Sequence, residues 1–319
     1  MPGKVFTPIE MLRRLVAFDT TSRDSNLALI DFVADYLEGH GIAATRTYDD
    51  DRRKANLFAS LGPEGEGGVV LSGHTDVVPV DGQPWDSDPF AMVERDGRLY
   101  GRGTTDMKGF LAVALALVPE FLRHDLSVPV HLALSYDEEI GCIGVDRLID
   151  GVREAGIDPA IVIVGEPSDM HVANAHKGIY SFITTVTGHE AHSSAADIGV
   201  NAVMIAARLI AFLDGLAAEM RERAEPQSGF APPYTTVHVG TVEGGTALNI
   251  IPRHCRFQWE FRPLPDADPQ EIVDRFNAFA ASLEPGMRAV AGSAGIHTEA
   301  RSRVPGLEPE DASPAERLV

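Results

Sequence analysis

Apolar residues first recur at helical spacing. Ile9, Leu12, Leu15 and Val16 share one face of residues 7–17, and Ile30, Phe32, Val33, Tyr36 and Leu37 share one face of residues 27–40, so two amphipathic helices are predicted. Denser apolar runs follow. Residues 56–61 and 69–71 read as strands, the second bounded by glycines. Residues 91–100 carry a hairpin pattern about Asp96-Gly97, a dipeptide suited to a two-residue turn. A strongly apolar helix is expected from 109 to about 122, with strands at 128–136 and 160–164. Helices interleaved with buried strands indicate an α/β fold, with helices around a mixed sheet.

From Lys177 the pattern changes. Strands are expected at 179–187, 234–242, 254–262 and 287–294, and helices at 200–223 and 269–283. The order β-α-β-β-α-β is that of a ferredoxin-like α+β unit. The chain therefore divides into a first α/β segment at 1–176, an inserted domain at 177–303, and the start of a return segment at 304–319.

The polar residues that close the strands carry the chemistry. His74 and Asp76 follow the strand at 69–71, Asp137-Glu138-Glu139 follows 128–136, and Gly165-Glu166 follows 160–164. In open α/β sheets the C-terminal strand edge is where ligands bind. Asp106 lies just before the helix that begins near residue 109; an Asp there is ordinarily an N-cap. One acidic strand end is ordinarily a solvated turn. Three such ends with a neighbouring Asp and a His would repel one another unless a cation sits among them, and imidazole plus carboxylate suits a metal ion. Residues 101–109 are glycine-rich but lack the Gly-Lys-Ser/Thr of a phosphate loop.

Composition narrows the partners. The formal net charge is -20, which disfavours nucleic acid and anionic lipid and is compatible with a cationic small molecule. No run of eighteen apolar residues is present, so no membrane helix is expected. The N-terminus lacks the apolar stretch of a secretion signal. Cys142 and Cys255 have no metal-like spacing, so a reduced, cytoplasmic protein is expected.

His74-Thr75-Asp76-Val77-Val78-Pro79, Gly101-Arg102-Gly103-Thr104-Thr105-Asp106-Met107-Lys108-Gly109, Asp137-Glu138-Glu139, Gly165-Glu166-Pro167-Ser168 and Gly188-His189-Glu190-Ala191-His192-Ser193-Ser194, in this order and spacing, resemble the M20 family of metallopeptidases and deacylases. Residues 136–142 and 260–265 are most similar to its acetylornithine-deacetylating branch. The resemblance implies a zinc-peptidase-like catalytic domain, an inserted lid and dimerisation domain, and a homodimer acting on a small N-acyl amino acid. It implies two divalent ions, zinc or cobalt: His74 and Glu166 on the first, Asp106 bridging, Glu139 on the second. Asp76 would orient His74. Glu138 would be the general base, its side chain diverging from that of Glu139 if the strand continues. A cis peptide after Asp106 is also implied. His192 would stabilise the oxyanion, reaching across from a dimer partner, and Asn249 and Arg262 would grip the substrate carboxylate, the last with its planar fork. Desuccinylases, aminoacylases and dipeptidases of the same family would share every metal residue. An inactive binding or scaffold protein is the alternative from another class.

The family also supplies a histidine to the second ion from a later segment. This chain ends at Val319 and its last histidine is His297, a poor substitute by position. Truncation by some tens of residues, and an incomplete second metal site, are therefore expected.

Overall fold

The computed structural model describes residues 3–310 and 313–319. Two compact units are present, one comprising Met1–Val172 with Ala312–Val319, the other Ala173–Asp311. Among the described residues no helix is long and apolar enough to cross a membrane.

The first unit begins with α1 (Pro8–Val16) and α2 (Leu27–Gly39). Thr7 opens α1 in a reciprocal cap with Glu10, which satisfies donors that a helix N-terminus otherwise leaves unpaired. Then come β1 (Ala44–Tyr48), β2 (Ala55–Leu61), β3 (Val69–His74) and the small hairpin β4 (Val93–Arg95) and β5 (Arg98–Tyr100). Asp96 and Gly97 both take positive φ at the hairpin tip, 52° and 71°, as a two-residue hairpin turn requires. The unit continues with α3 (Lys108–Ala116), α4 (Val118–Phe121), β6 (Val130–Ser135), α5 (Val145–Glu154) and β7 (Ile161–Val164). The single helix expected from 109 to 122 is divided at Leu117, because Pro119 starts a new short helix and has no N–H to continue the old one.

The main sheet has the order β1-β2-β6-β3-β7. β3 runs parallel to both β6 and β7, whereas β1, β2 and β6 pair antiparallel. It is a mixed sheet, as expected. The parallel trio matters most: register sets His74 opposite Ser135, and Ser72 opposite Val164, so β3, β6 and β7 all end on one edge. Leu57 on β2 is fully buried with Leu15, Leu29, Ile30, Leu37 and Leu134 in one apolar cluster. Leu57→Ala is expected to lower unfolding free energy by about 2–5 kcal/mol, the usual cost of such a cavity, and to show as a lower urea midpoint.

The second unit contains β8 (Ile179–Thr187), β9 (Ala191–His192), α6 (Ala202–Glu222), β10 (Thr236–Gly244), β11 (Ile250–Ile251), β12 (His254–Arg262), α7 (Pro269–Val290) and β13 (Gly295–Val304). Its sheet has the order β10-β12-β8-β13, antiparallel throughout. Phe257, Phe261, Phe276 and Leu209 are fully buried in its core. The strand expected at 287–294 is not there. α7 runs through Pro285 to Val290 because its apolar face continues past the proline: Phe276, Ala280, Leu283 and Met287 are all buried. Burial outweighs the proline signal, and the last strand starts at Gly295. A final short helix, α8 (Pro314–Leu318), belongs to the first unit.

Candidate metal centre

His74 is the last residue of β3 and is 1% exposed. Its Nε2 lies 3.0 Å from Asp106 Oδ1, 3.6 Å from Glu166 Oε1 and 3.7 Å from Glu138 Oε2. Ligand atoms of His74, Asp106 and Glu139 lie within 4.8 Å of one another, as do those of His74, Glu138 and Glu166. The four carboxylates arrive from three elements. Glu166 follows β7, Glu138 and Glu139 follow β6, and Asp106 precedes α3. Asp106 is not a cap: Met107 holds that position and makes no side-chain capping bond. The Asp106-Met107 peptide is cis. Two glycines allow α3 to start so close to the strand ends. A Cβ on Gly73 would stand 2.7 Å from Met107 Cε, and one on Gly165 would fall 1.9 Å from the Phe110 ring, well inside van der Waals contact.

Glu138 and Glu139 do not diverge along a strand. β6 ends at Ser135, and Asp137 takes a positive φ of 58°, so both carboxylates turn toward His74. The buried carboxylate of Asp76 secures this turn. Its Oδ1 accepts the Glu138 N–H at 3.1 Å, and its Oδ2 accepts the Glu139 N–H at 3.2 Å and the Ser22 hydroxyl at 2.7 Å. His74 Nδ1 contacts the Asp76 backbone carbonyl at 2.9 Å, closer than the side-chain Oδ1 at 3.4 Å. Asp76 thus holds the imidazole chiefly through its main chain.

Electrostatics fit a cation. Burial, then the nearby Asp106 carboxylate, pushes Glu139 up to about 7. Burial likewise lifts Glu166 to about 7, with Glu138 and Asp106 adding repulsion against the opposing pull of His74. Burial alone would lower His74, but its bond to Asp76 and the charges of Asp76, Glu138 and Glu166 outweigh it and raise the imidazole to about 9. One imidazole nitrogen and several carboxylate oxygens form a donor set that a divalent ion accepts, and such an ion would relieve the repulsion.

A stability test follows from these directions. Glu139 and Glu166 keep their protons in the folded metal-free protein up to about 7, against ordinary values of 4.5, and burial raises Asp137 in the same sense. The folded state then binds more protons than the unfolded chain between about pH 5 and 7, so stability falls as pH rises through that window. His131, lowered by burial, opposes with one group; Lys108, lowered by burial to about 7, opposes only above it. The melting temperature in a chelator is expected to fall from pH 5 to 7, and stabilisation by added zinc to grow, because binding displaces these protons. A chelated protein that gains stability across the window would refute this.

The profile of peptidase family M20/M25/M40 matches residues 70–303. The chain belongs to this family. The acetylornithine deacetylase of Myxococcus xanthus is 39% identical over 308 residues, covering 92% of this chain and 78% of that protein. Among solved structures, the M20 family metallo-carboxypeptidase Sso-CP2 from Sulfolobus solfataricus matches with a TM-score of 0.71 at 18% identity, covering 92% of this chain and 78% of that one. The Bacillus subtilis YXEP protein, described as a dinuclear metal-binding peptidase of the M20 family, matches with a TM-score of 0.57 at 16% identity, covering 96% and 79%. The two structures show the shared fold. Membership in M20 makes this chain a metal-dependent hydrolase of the deacylase and peptidase kind.

The remaining M20-motif residues lie in the second unit. β9 pairs with β11, setting His192 opposite Ile250, and the Ser193 N–H donates to Asn249 O at 2.9 Å. His192 and Asn249 are thereby brought together. Arg262 is not with them. It closes β12, whose first residue His254 lies three residues past β11, and eight residues of strand span roughly 26 Å. Arg262 is half exposed and bonds Glu260 at 3.1 Å. His297 sits on β13 opposite Thr185 and belongs to neither ligand group. Motif reading gave no role to Ser22 or Lys54, which the structure places against the turn that carries Glu138 and Glu139. Cys142 also reaches this turn, its Sγ 3.6 Å from Glu138 Oε1.

Proposed function

We propose that this chain hydrolyses the amide bond of an N-acyl amino acid, with N-acetyl-L-ornithine as substrate and L-ornithine and acetate as products, as a step in arginine synthesis in the cytoplasm. The observation that carries the substrate is the 39% identity to an acetylornithine deacetylase across nine-tenths of the chain. Two divalent ions, zinc or cobalt, would be held by His74, Glu166, Asp106 and Glu139, with Asp106 shared. The gathering of four carboxylates about His74 and the dinuclear description of the B. subtilis relative support that number. Bound metal would polarise the substrate carbonyl and acidify the attacking water. Glu138 takes the water's proton and passes it to the leaving nitrogen. Arg262 binds the substrate carboxylate with its planar fork, and His192, contributed by a second copy in a homodimer, stabilises the developing oxyanion; Asn249, held beside His192, would share the carboxylate with Arg262 only across that dimer.

Substrate profiling of the zinc- or cobalt-loaded protein tests this. The highest kcat/KM is expected on N-acetyl-L-ornithine. A preference for N-succinyl-diaminopimelate or a free dipeptide would move the protein elsewhere in the family, and metal binding without turnover of any of them would favour an inactive binding protein. Light scattering on an eluting sample should report twice the chain mass of 34.3 kDa; a single-chain mass would remove the second-copy role of His192.

A further inference from the structure

We propose that Ser22 and Lys54 are positioning residues that set the Glu138–Glu139 turn in its working geometry, an inference that rests on the roles assigned above to those two glutamates. Asp76 accepts two successive N–H groups from the turn, at 3.1 and 3.2 Å, an arrangement in which consecutive main-chain amides cradle one anionic group. A carboxylate grips well only if its own orientation is fixed, and the Ser22 hydroxyl fixes it by donating to Oδ2 at 2.7 Å. Ser22 is 4% exposed and itself held: its N–H donates to Val77 O at 3.1 Å, while Thr21 bridges Val77 in parallel. The other face of Ser22 is used as well, because its carbonyl accepts from Lys54 Nζ.

Lys54 ties this network to the turn a second time. Nζ donates to both oxygens of Asp137, at 2.7 Å to Oδ2, and Asp137 is the residue at φ 58° immediately before Glu138. The lysine is placed by its own turn. Asp49 Oδ1 accepts from the Arg53 and Lys54 N–H groups at 2.7 and 2.9 Å, closing the connection between β1 and β2. Asp137 is 5% exposed, so its charge depends on Lys54 for compensation. Two anchors, one through Asp76 and one through Asp137, thus meet at Ser22 and bracket the segment that bears the base and a metal carboxylate. Among the described residues no hydrogen bond or ion pair joins the Ser22 or Lys54 side chain to His74, Asp106, Glu138, Glu139 or Glu166, so both act through the turn.

Hydrogen exchange on the metal-free full chain tests this without substrate or metal. In Ser22→Ala, which removes one hydroxyl and leaves every charge, the Glu138 and Glu139 amides are expected to exchange about tenfold faster, the response to loss of a single hydrogen bond's worth of protection. The Gly141 and Cys142 amides bond inside the turn to Glu138 O and should keep their protection. Lys54→Gln should give the same local pattern, and Lys54→Arg should restore it in part. In the metal-saturated enzyme both variants should lower kcat with KM unchanged. Unchanged exchange at 138 and 139 in folded Ser22→Ala protein would overturn the inference, as would a rise shared equally with the amides of β3 and β6. The exchange result stands whether or not the chain turns over N-acetyl-L-ornithine, so it separates failure of this inference from failure of the proposed activity.

Discussion

Glu138→Gln is expected to lower kcat by about 10²–10⁴-fold, the range that a positioned proton carrier contributes, while zinc content stays at the wild-type level. The substitution keeps the shape of the side chain and its contact with Cys142 but removes the oxygen that can take a proton. The geometry makes the two readings separable. Glu138 Oε2 is 3.7 Å from His74 Nε2 and shares a donor group with Glu166, so a ligand role is stereochemically open to it. If Glu138 is a ligand, the Gln variant loses metal along with turnover. If it is the base, metal analysis is unchanged and kcat alone collapses. Near-wild-type turnover would reject both.

His74→Ala should have the largest effect on metal binding. Both donor groups contain His74 and no other imidazole. Loss of an outer partner of a ligand already costs 10–100-fold in affinity, so loss of the imidazole ligand itself should cost at least about 100-fold. The wild type is limited as well, because the His74 imidazole can serve a single ion through Nε2 while Nδ1 faces the Asp76 carbonyl, and the other ion would depend on carboxylates. Calorimetric titration of metal-free protein should therefore show one tight equivalent and a weaker second. Thermal melts give an independent reading. Metal at a hundred times its Kd stabilises the folded state by about 2.7 kcal/mol, and the His74→Ala protein should show no such gain. Two equally tight equivalents in the wild type, or an unchanged melting response in the variant, would contradict this.

What could be read from the sequence was whatever depends on residues close together in the chain. His74 was legible because a glycine-bounded apolar run precedes it, and the same holds for Glu166 after the Ile161–Val164 strand. The parallel register of β3, β6 and β7 then brings those strand ends to one edge. Ser22 and Lys54 were not legible, because their partners lie 54 and 83 positions away. Lys54 also closes the run Arg52-Arg53-Lys54, which has the composition of a solvated turn, and only the fold shows that the third cation points inward. The direction of the Glu138 side chain is not legible for a related reason: adjacent residues diverge only if the strand continues, β6 stops at Ser135, and the positive φ at Asp137 leaves no mark in a motif. In the second unit, strand and helix order followed from periodicity, but the grouping of His192 with Asn249 depends on a two-residue strand pair. The end of α7 depends on burial beyond Pro285, which local propensity cannot supply.

Crystals of this chain soaked in cobalt, with diffraction recorded at the cobalt absorption edge, would locate the ion directly. An anomalous peak is expected beside His74, within about 2.0–2.2 Å of its imidazole nitrogen and of carboxylate oxygens from Asp106, Glu139 or Glu166. Cobalt bound only at other surface carboxylates, with His74 still paired to Asp106, would contradict a metal centre at this strand edge.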